Sequence, residues 1–247
     1  MGSSRGARNV IAQQLEDSLN QSSYNLSYPG SNIEFHKFLL EALLEFNQPP
    51  EKILLVVDDK AELLPSSSIK FRYDRMYPLL KYDFVIDEMI DRGEKSTLAK
   101  FFILSRISLS NFDLRKKSFG RLDTIQAAGS MPIAFQKSGI DWQYGKNTSY
   151  NIQEEVPEKL SAFKAFQDQC LSASVELVLI FPPNFGDLNP KFKERILQLK
   201  KDQVSTFFYD ADNPIYQDSA AFYDRAHLRT KSASIFTEEI VDYLKVQ

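Results

Sequence analysis

Apolar positions along this chain fall into two rhythms. Three short runs are almost continuously apolar: Ile53-Leu54-Leu55-Val56-Val57, residues 175–181 (VELVLIF) and residues 204–209 (VSTFFY). Runs of this length match strands buried on both faces of a parallel sheet. Between them the apolar residues recur at helical spacing. Residues 8–20 place Val10, Ile11 and Leu15 on one face, and residues 32–47 carry a wide face from Ile33 to Phe46 that Pro49-Pro50 terminates. Residues 155–173 repeat the pattern with Leu160, Phe163, Phe166 and Leu171, and further helices are expected at about 190–201 and 230–245. A short strand is expected at residues 24–28, closed by Pro29-Gly30. Strand and helix in alternation predict right-handed βαβ crossovers, and with them an α/β fold: a three-layer α/β/α sandwich around a mainly parallel sheet. Ligands of such sheets bind at the carboxyl ends of the strands.

Residues 60–150 break the rhythm. Two helical pieces are expected near 73–91 and 95–108, followed by a polar and aromatic stretch through Phe112, Phe119, Trp142, Tyr144 and Tyr150. That is too long for a connection, so it reads as an insertion packed over one end of the sheet, serving either structure or as a cap that shapes a site. One domain over residues 1–247 is the expected organisation, since 247 residues with 43% apolar content suffice for one sizeable core.

Charge narrows the partners. A net charge of −3 with lysines and arginines spread along the chain gives no bulk attraction for nucleic acid or anionic membranes. No stretch approaches the ~20 apolar residues of a membrane span, and nothing before residue 8 reads as a signal peptide, so the chain as written is expected to be soluble. Cys170 is the single cysteine; it has no disulfide partner and no zinc-type companion, and it reads as a buried small residue on an amphipathic helix. Glycine-rich phosphate loops, dinucleotide fingerprints and metal-ligand spacings are absent from the sequence, which points to chemistry with no cofactor and no metal.

Two motifs at opposite ends of the chain carry that chemistry: Gly2-Ser3-Ser4-Arg5 and Asp224-Arg225-Ala226-His227-Leu228. A serine hydroxyl becomes a nucleophile when a histidine takes its proton, and the histidine needs a carboxylate to fix its tautomer. The first motif alone is weak, because Ser3 or Ser4 could equally cap the helix that follows. Histidine scarcity sharpens it. The chain has only His36 and His227. His36 lies among apolar neighbours in the 32–47 helix and reads as a core or helix-face residue. His227 falls between the last strand and the last helix, three residues after Asp224, whose carboxylate can reach one imidazole nitrogen while the other faces a serine.

In this order, these residues resemble the SGNH/GDSL hydrolase superfamily. The resemblance makes Ser4 the nucleophile of a Gly-x-Ser motif and makes Asp224 and His227 the acid and base of an Asp-x-x-His motif. The Gly-Ser-Ser-Arg form is similar to a bacterial branch of D-alanyl-transfer and polysaccharide-O-acylation proteins. There a glycine after the second strand lends its N–H to the oxyanion hole, and Gly30 in Tyr28-Pro29-Gly30-Ser31-Asn32 matches it beside the N–H of Ser4. The sequence departs at Val57-Asp58-Asp59-Lys60, where many members carry Gly-x-Asn-Asp and its asparagine completes the hole. A carboxylate would repel an oxyanion, leaving Asn32 as the nearest replacement donor. Asp58 and Asp59 also read simply as a polar strand end.

The resemblance implies a flavodoxin-like sheet and a serine esterase or O-acyltransferase acting on an acyl ester of a carbohydrate or cell-envelope glycan. Its alternative is a catalytically impaired relative that binds a glycan or docks onto a membrane acyltransferase. It also implies a buried strand running directly into Gly-x-Ser, where here only Met1 precedes Gly2. The expectation is therefore a sheet lacking its first strand in an N-terminally shortened chain, whose longer form is periplasmic or membrane-anchored.

Overall fold

The computed structural model of the chain describes residues 1–57, 60–106, 122, 124–142, 149–186 and 189–247. Asp58, Asp59, Phe112, Phe119 and Tyr144 lie outside the described residues. Two compact units emerge, one of Met1–Lys70 with Gly120–Gln247 and one of Phe71–Phe119. The insertion expected over 60–150 thus contracts to the second unit. Its flanks belong to the first, where Lys70 N–H donates to Gly30 O (2.9 Å) and Met131 N–H donates to Ala7 O (2.6 Å).

The first unit has an α/β architecture. Strands β1 (Lys52–Val56), β2 (Glu176–Phe181) and β3 (Ser205–Phe208) form a parallel sheet in that order, with Leu55 opposite Leu179 and Ile180 opposite Phe207. All three come from the apolar runs. Helices α1 (Ser4–Asn9), α2 (Ala12–Leu19), α3 (Ile33–Phe46), α6 (Pro157–Ser172), α7 (Pro190–Leu199) and α8 (Thr230–Val246) cover both faces. Leu40 of α3, Phe163 and Phe166 of α6 and Ile196 of α7 pack with Leu55 and Leu179 on one face. Leu15 of α2 and Phe236 and Ile240 of α8 pack with Val56, Ile180 and Phe207 on the other. Cys170 is buried on α6, and burial pushes its thiol up to about 12.

In the second unit, the helix expected near 73–91 resolves into two 3₁₀ turns, Tyr73–Arg75 and Tyr77–Leu79, followed by α4 (Asp83–Asp91). The piece expected near 95–108 is α5 (Leu98–Phe101) and the 3₁₀ turn Ile103–Arg106.

Two further expectations are corrected. The helix expected over 8–20 is broken at Val10 and Ile11, because side chains from distant segments take over its backbone bonds. Val10 O accepts from Asn25 Nδ2 and Ser130 Oγ (2.9 Å each), Ile11 N–H donates to Thr237 Oγ1 (3.1 Å), and Ala12 N–H donates to Ser130 Oγ (2.9 Å). The strand expected at 24–28 forms no ladder. Its backbone bonds go to two places: Asn25 N–H donates to Ala128 O (2.8 Å) and Tyr28 N–H to Gly2 O (3.0 Å), while Met1 donates its amino group to Leu54 O (2.6 Å) and accepts from Val56 N–H (2.9 Å), a parallel-strand pattern. Beside this stub lies a cavity of about 410 Å³ lined by Leu15, Tyr24, Leu26, Leu43 and Leu54.

Candidate functional site

Gly2 brings the nucleophile loop onto the carboxyl end of β1. Its φ of +151° is open to glycine, and a Cβ there would sit 3.0 Å from Val56 Cβ and 3.1 Å from Val56 O. The chain then turns into α1 at Ser3, whose hydroxyl caps nothing and has no hydrogen-bond partner in its buried position. The capping alternative therefore does not describe Ser3. Ser4, the first residue of α1, is half-buried and makes a different bond: its Oγ lies 2.7 Å from His227 Nε2.

A tight hairpin positions the base. Strands β4 (Phe222–Asp224) and β5 (His227–Leu228) pair antiparallel with Asp224 opposite His227, so two residues three apart in sequence become cross-strand neighbours. Asp224 Oδ1 lies 2.8 Å from His227 Nδ1 and also accepts the N–H groups of Ala226 and His227 (3.0 Å each). An ionised carboxylate only accepts, so Nδ1 carries the proton and Nε2 presents its lone pair to Ser4. Burial pushes Asp224 upward, but the hydrogen bond and charge of His227 and the two backbone donors outweigh it and hold the carboxyl below its ordinary value. Burial lowers His227 below its ordinary 6.5 against the pull of Asp224, and the nearby charges of Arg8 and Arg5 lower it further. The ring is therefore neutral near pH 7, the state a general base requires.

Asn9, Arg5 and Asn184 complete the framework, and of these only Arg5 stands in a motif that the sequence singled out. Asn9, fully buried on α1, accepts Leu228 N–H at its Oδ1 (2.9 Å) and reaches Ala226 O with its Nδ2 (3.5 Å), clasping the backbone on both sides of His227. Buried Arg5 donates to Asn184 Oδ1 (2.7 Å), three residues past β2, and so ties the nucleophile helix to the carboxyl end of a second strand. The hairpin turn is fastened there too, through Phe185 N–H to Arg225 O (2.8 Å). A polar residue on the buried side of a short amphipathic helix, as Asn9 is, was the one available hint.

Gly30 sits at the third position of a turn closed by Ser31 N–H to Tyr28 O (3.0 Å), with Pro29 second and φ +75° at the glycine, which is type II geometry. Asn32 caps α3: its Oδ1 accepts Phe35 N–H (3.1 Å), and one N–H of its Nδ2 donates to Glu34 Oε2 (2.8 Å). Ser4, His227 and Asp224 thus come together at the carboxyl edge of the sheet, and His36 lies elsewhere, fully buried on α3. No family model matches the chain, and no curated protein or solved structure matches it either.

Proposed function

We propose that the protein is a serine esterase or O-acyltransferase of the SGNH type, acting on an acyl ester of a carbohydrate or cell-envelope glycan. The observation that carries this reading is the continuous chain Ser4 Oγ to His227 Nε2 (2.7 Å) and His227 Nδ1 to Asp224 Oδ1 (2.8 Å). The sugar-ester class rests on the sequence resemblance alone.

In this reading Ser4 Oγ attacks the acyl carbonyl as its proton passes to His227 Nε2. The imidazolium is stabilised by Asp224, which stays ionised. The oxyanion is held by the N–H groups of Ser4 and Gly30. On collapse, His227 gives its proton to the departing alcohol and an acyl-Ser4 remains. A water molecule or an acceptor hydroxyl, deprotonated by His227, then attacks the acyl group, and His227 returns that proton to Ser4 Oγ as the acyl–oxygen bond breaks. Hydrolysis and transfer share every residue up to that last step.

A fluorophosphonate probe tests the reading, because it labels only an activated serine. Labelling should map to Ser4 and vanish in Ser4→Ala and His227→Ala, while Ser3→Ala keeps it. A wild-type protein that neither labels nor cleaves a short-chain aryl ester overturns the proposal.

A further inference from the structure

A second serine–histidine pair lies beneath the first, unused by the triad. His36 and Ser31 are both fully buried, with Nε2 and Oγ 2.8 Å apart. Ser31 Oγ also lies 2.6 Å from Tyr28 O and 3.4 Å from Gly2 O. Carbonyl oxygens only accept, so the single hydroxyl proton of Ser31 goes to Tyr28 O, the closest of them, and His36 must supply an Nε2–H to the hydroxyl. The tautomer is thereby opposite to that of His227: Nε2 carries the proton, and Nδ1 has no hydrogen-bond partner. Burial, followed by the neighbouring amino-terminal charge, lowers the ring to about 3 against the pull of the Gly2 carbonyl, so it stays neutral wherever the protein works. The ring also borders a cavity of about 10 Å³ shared with Val57, Glu62 and Phe163, barely the space of one water and far too small for a substrate. This pair is neither a nucleophile nor a ligand site.

Its contacts lie on the two loops that supply the oxyanion donors. Gly2 O belongs to the loop that carries Ser4, and it accepts from Tyr28 N–H as well (3.0 Å). Tyr28 and Ser31 are the ends of the turn that carries Gly30. We propose that His36 is a positioning residue: acting through Ser31, it locks the Gly2 carbonyl and the 28–31 turn into one arrangement and so keeps the N–H groups of Ser4 and Gly30 at a fixed separation. This inference rests on the acyl-transfer reading above. An oxyanion hole works because its donors are held in place before charge develops, and displacement by about 1 Å costs on the order of 10²-fold in rate. A buried neutral imidazole suits that task because it donates a hydrogen bond without taking up charge.

The test is steady-state kinetics of an aryl ester with His36→Phe, His36→Gln and Ser31→Ala. His36→Phe should lower kcat by about 10- to 100-fold with KM within a factor of about three, because the hole acts on the transition state. Affinity for a trifluoromethyl ketone, whose adduct on Ser4 carries an oxyanion, should fall by the same factor. The amide of His36→Gln can place an N–H near the position of Nε2 and should restore most of kcat. The acidic limb of the pH profile, set by His227, should not move in any variant. Wild-type kcat in a folded His36→Phe overturns the inference, as does a loss that His36→Gln fails to recover. Should His36→Phe lose its cooperative melt, the smaller change Ser31→Ala decides: a kcat loss at constant KM supports the role, and an unchanged kcat overturns it. Failure of the triad is separate, since it shows already in wild type as no labelling of Ser4.

Discussion

The two serine–histidine pairs differ by 0.1 Å in separation, 2.7 Å at Ser4–His227 and 2.8 Å at Ser31–His36, yet their surroundings are opposite. His227 has a carboxylate on its second nitrogen, and Ser4 is half-buried beside it. His36 has nothing on its second nitrogen, and Ser31 hands its proton to a backbone carbonyl within a sealed interior. Distance alone therefore does not make a nucleophile. The third group chooses which ring nitrogen holds the proton, and access chooses whether a substrate can reach the oxygen.

The sharpest way to break this comparison is to delete each hydroxyl. Ser4→Ala should reduce kcat on an aryl ester by on the order of 10⁵- to 10⁶-fold, against about 10- to 100-fold for Ser31→Ala. Equal losses would make the pairs equivalent and remove the distinction. Next in size is Asp224→Asn, which presents the wrong group to Nδ1 and should cost about 10⁴-fold in kcat, with no counterpart at His36, whose Nδ1 no carboxylate hydrogen-bonds. A circular-dichroism melt of Asp224→Asn close to wild type would confirm that the loss is chemical.

The titration of the two rings gives a third contrast. A base must be deprotonated, and His227 is held below 6.5, so kcat/KM should be flat above that pH and fall about tenfold per unit below the folded-state value. A limb centred above 6.5 would contradict the burial of the ring. His36 contributes through stability instead. Its folded value is depressed to about 3 from 6.5, so the stability it holds as a neutral ring is complete above 6.5 and is lost as pH falls toward 3. Acid melts should show His36→Gln losing less stability over that window than wild type.

The smallest expected effect concerns the stub on which both pairs depend. The Met1 amino group is buried, and burial lowers it to about 5, although a peptide N–H could make the same bond to Leu54 O without a charge. Fusing a five-residue apolar, β-branched segment ahead of Met1 should let it run parallel to β1 through the 410 Å³ cavity. Burial of such side chains together with new ladder bonds to β1 should raise Tm and speed Ser4 labelling. Unchanged Tm and labelling would show that the gap beside Met1 costs the fold nothing.

Much of the framework was legible because it is locally encoded. The runs at 53–57 and 175–181 bury most of their side chains inside a covered sheet and became β1 and β2, and the run at 204–209 became β3 with Phe207 buried. Asp224 and His227 were legible as partners because two intervening residues suffice for a hairpin turn. The break at Val10 and Ile11 was not, since nothing in residues 8–20 opposes a continuous helix. The competing donors and acceptors come from Asn25, Ser130 and Thr237, up to 226 residues away. Residues 24–28 had the composition of a strand, but their bonds go to scattered partners at Gly2, Gly6, Val10 and Ala128 that no local pattern announces.

The sequence by itself therefore determined which segments pack into the α/β core and which two short motifs hold the serine, the histidine and the carboxylate that meet in the fold. Hydrophobic periodicity and side-chain chemistry are properties of neighbouring residues. Only the tertiary structure decided that Ser4 meets His227 across 223 positions, that Ser3 is sealed away, that Asn32 caps α3, that Asn9 bonds the backbone around His227, and that His36 meets Ser31. Those assignments depend on which hydrogen-bond partner comes within about 3 Å, a choice made only when distant segments close on one another.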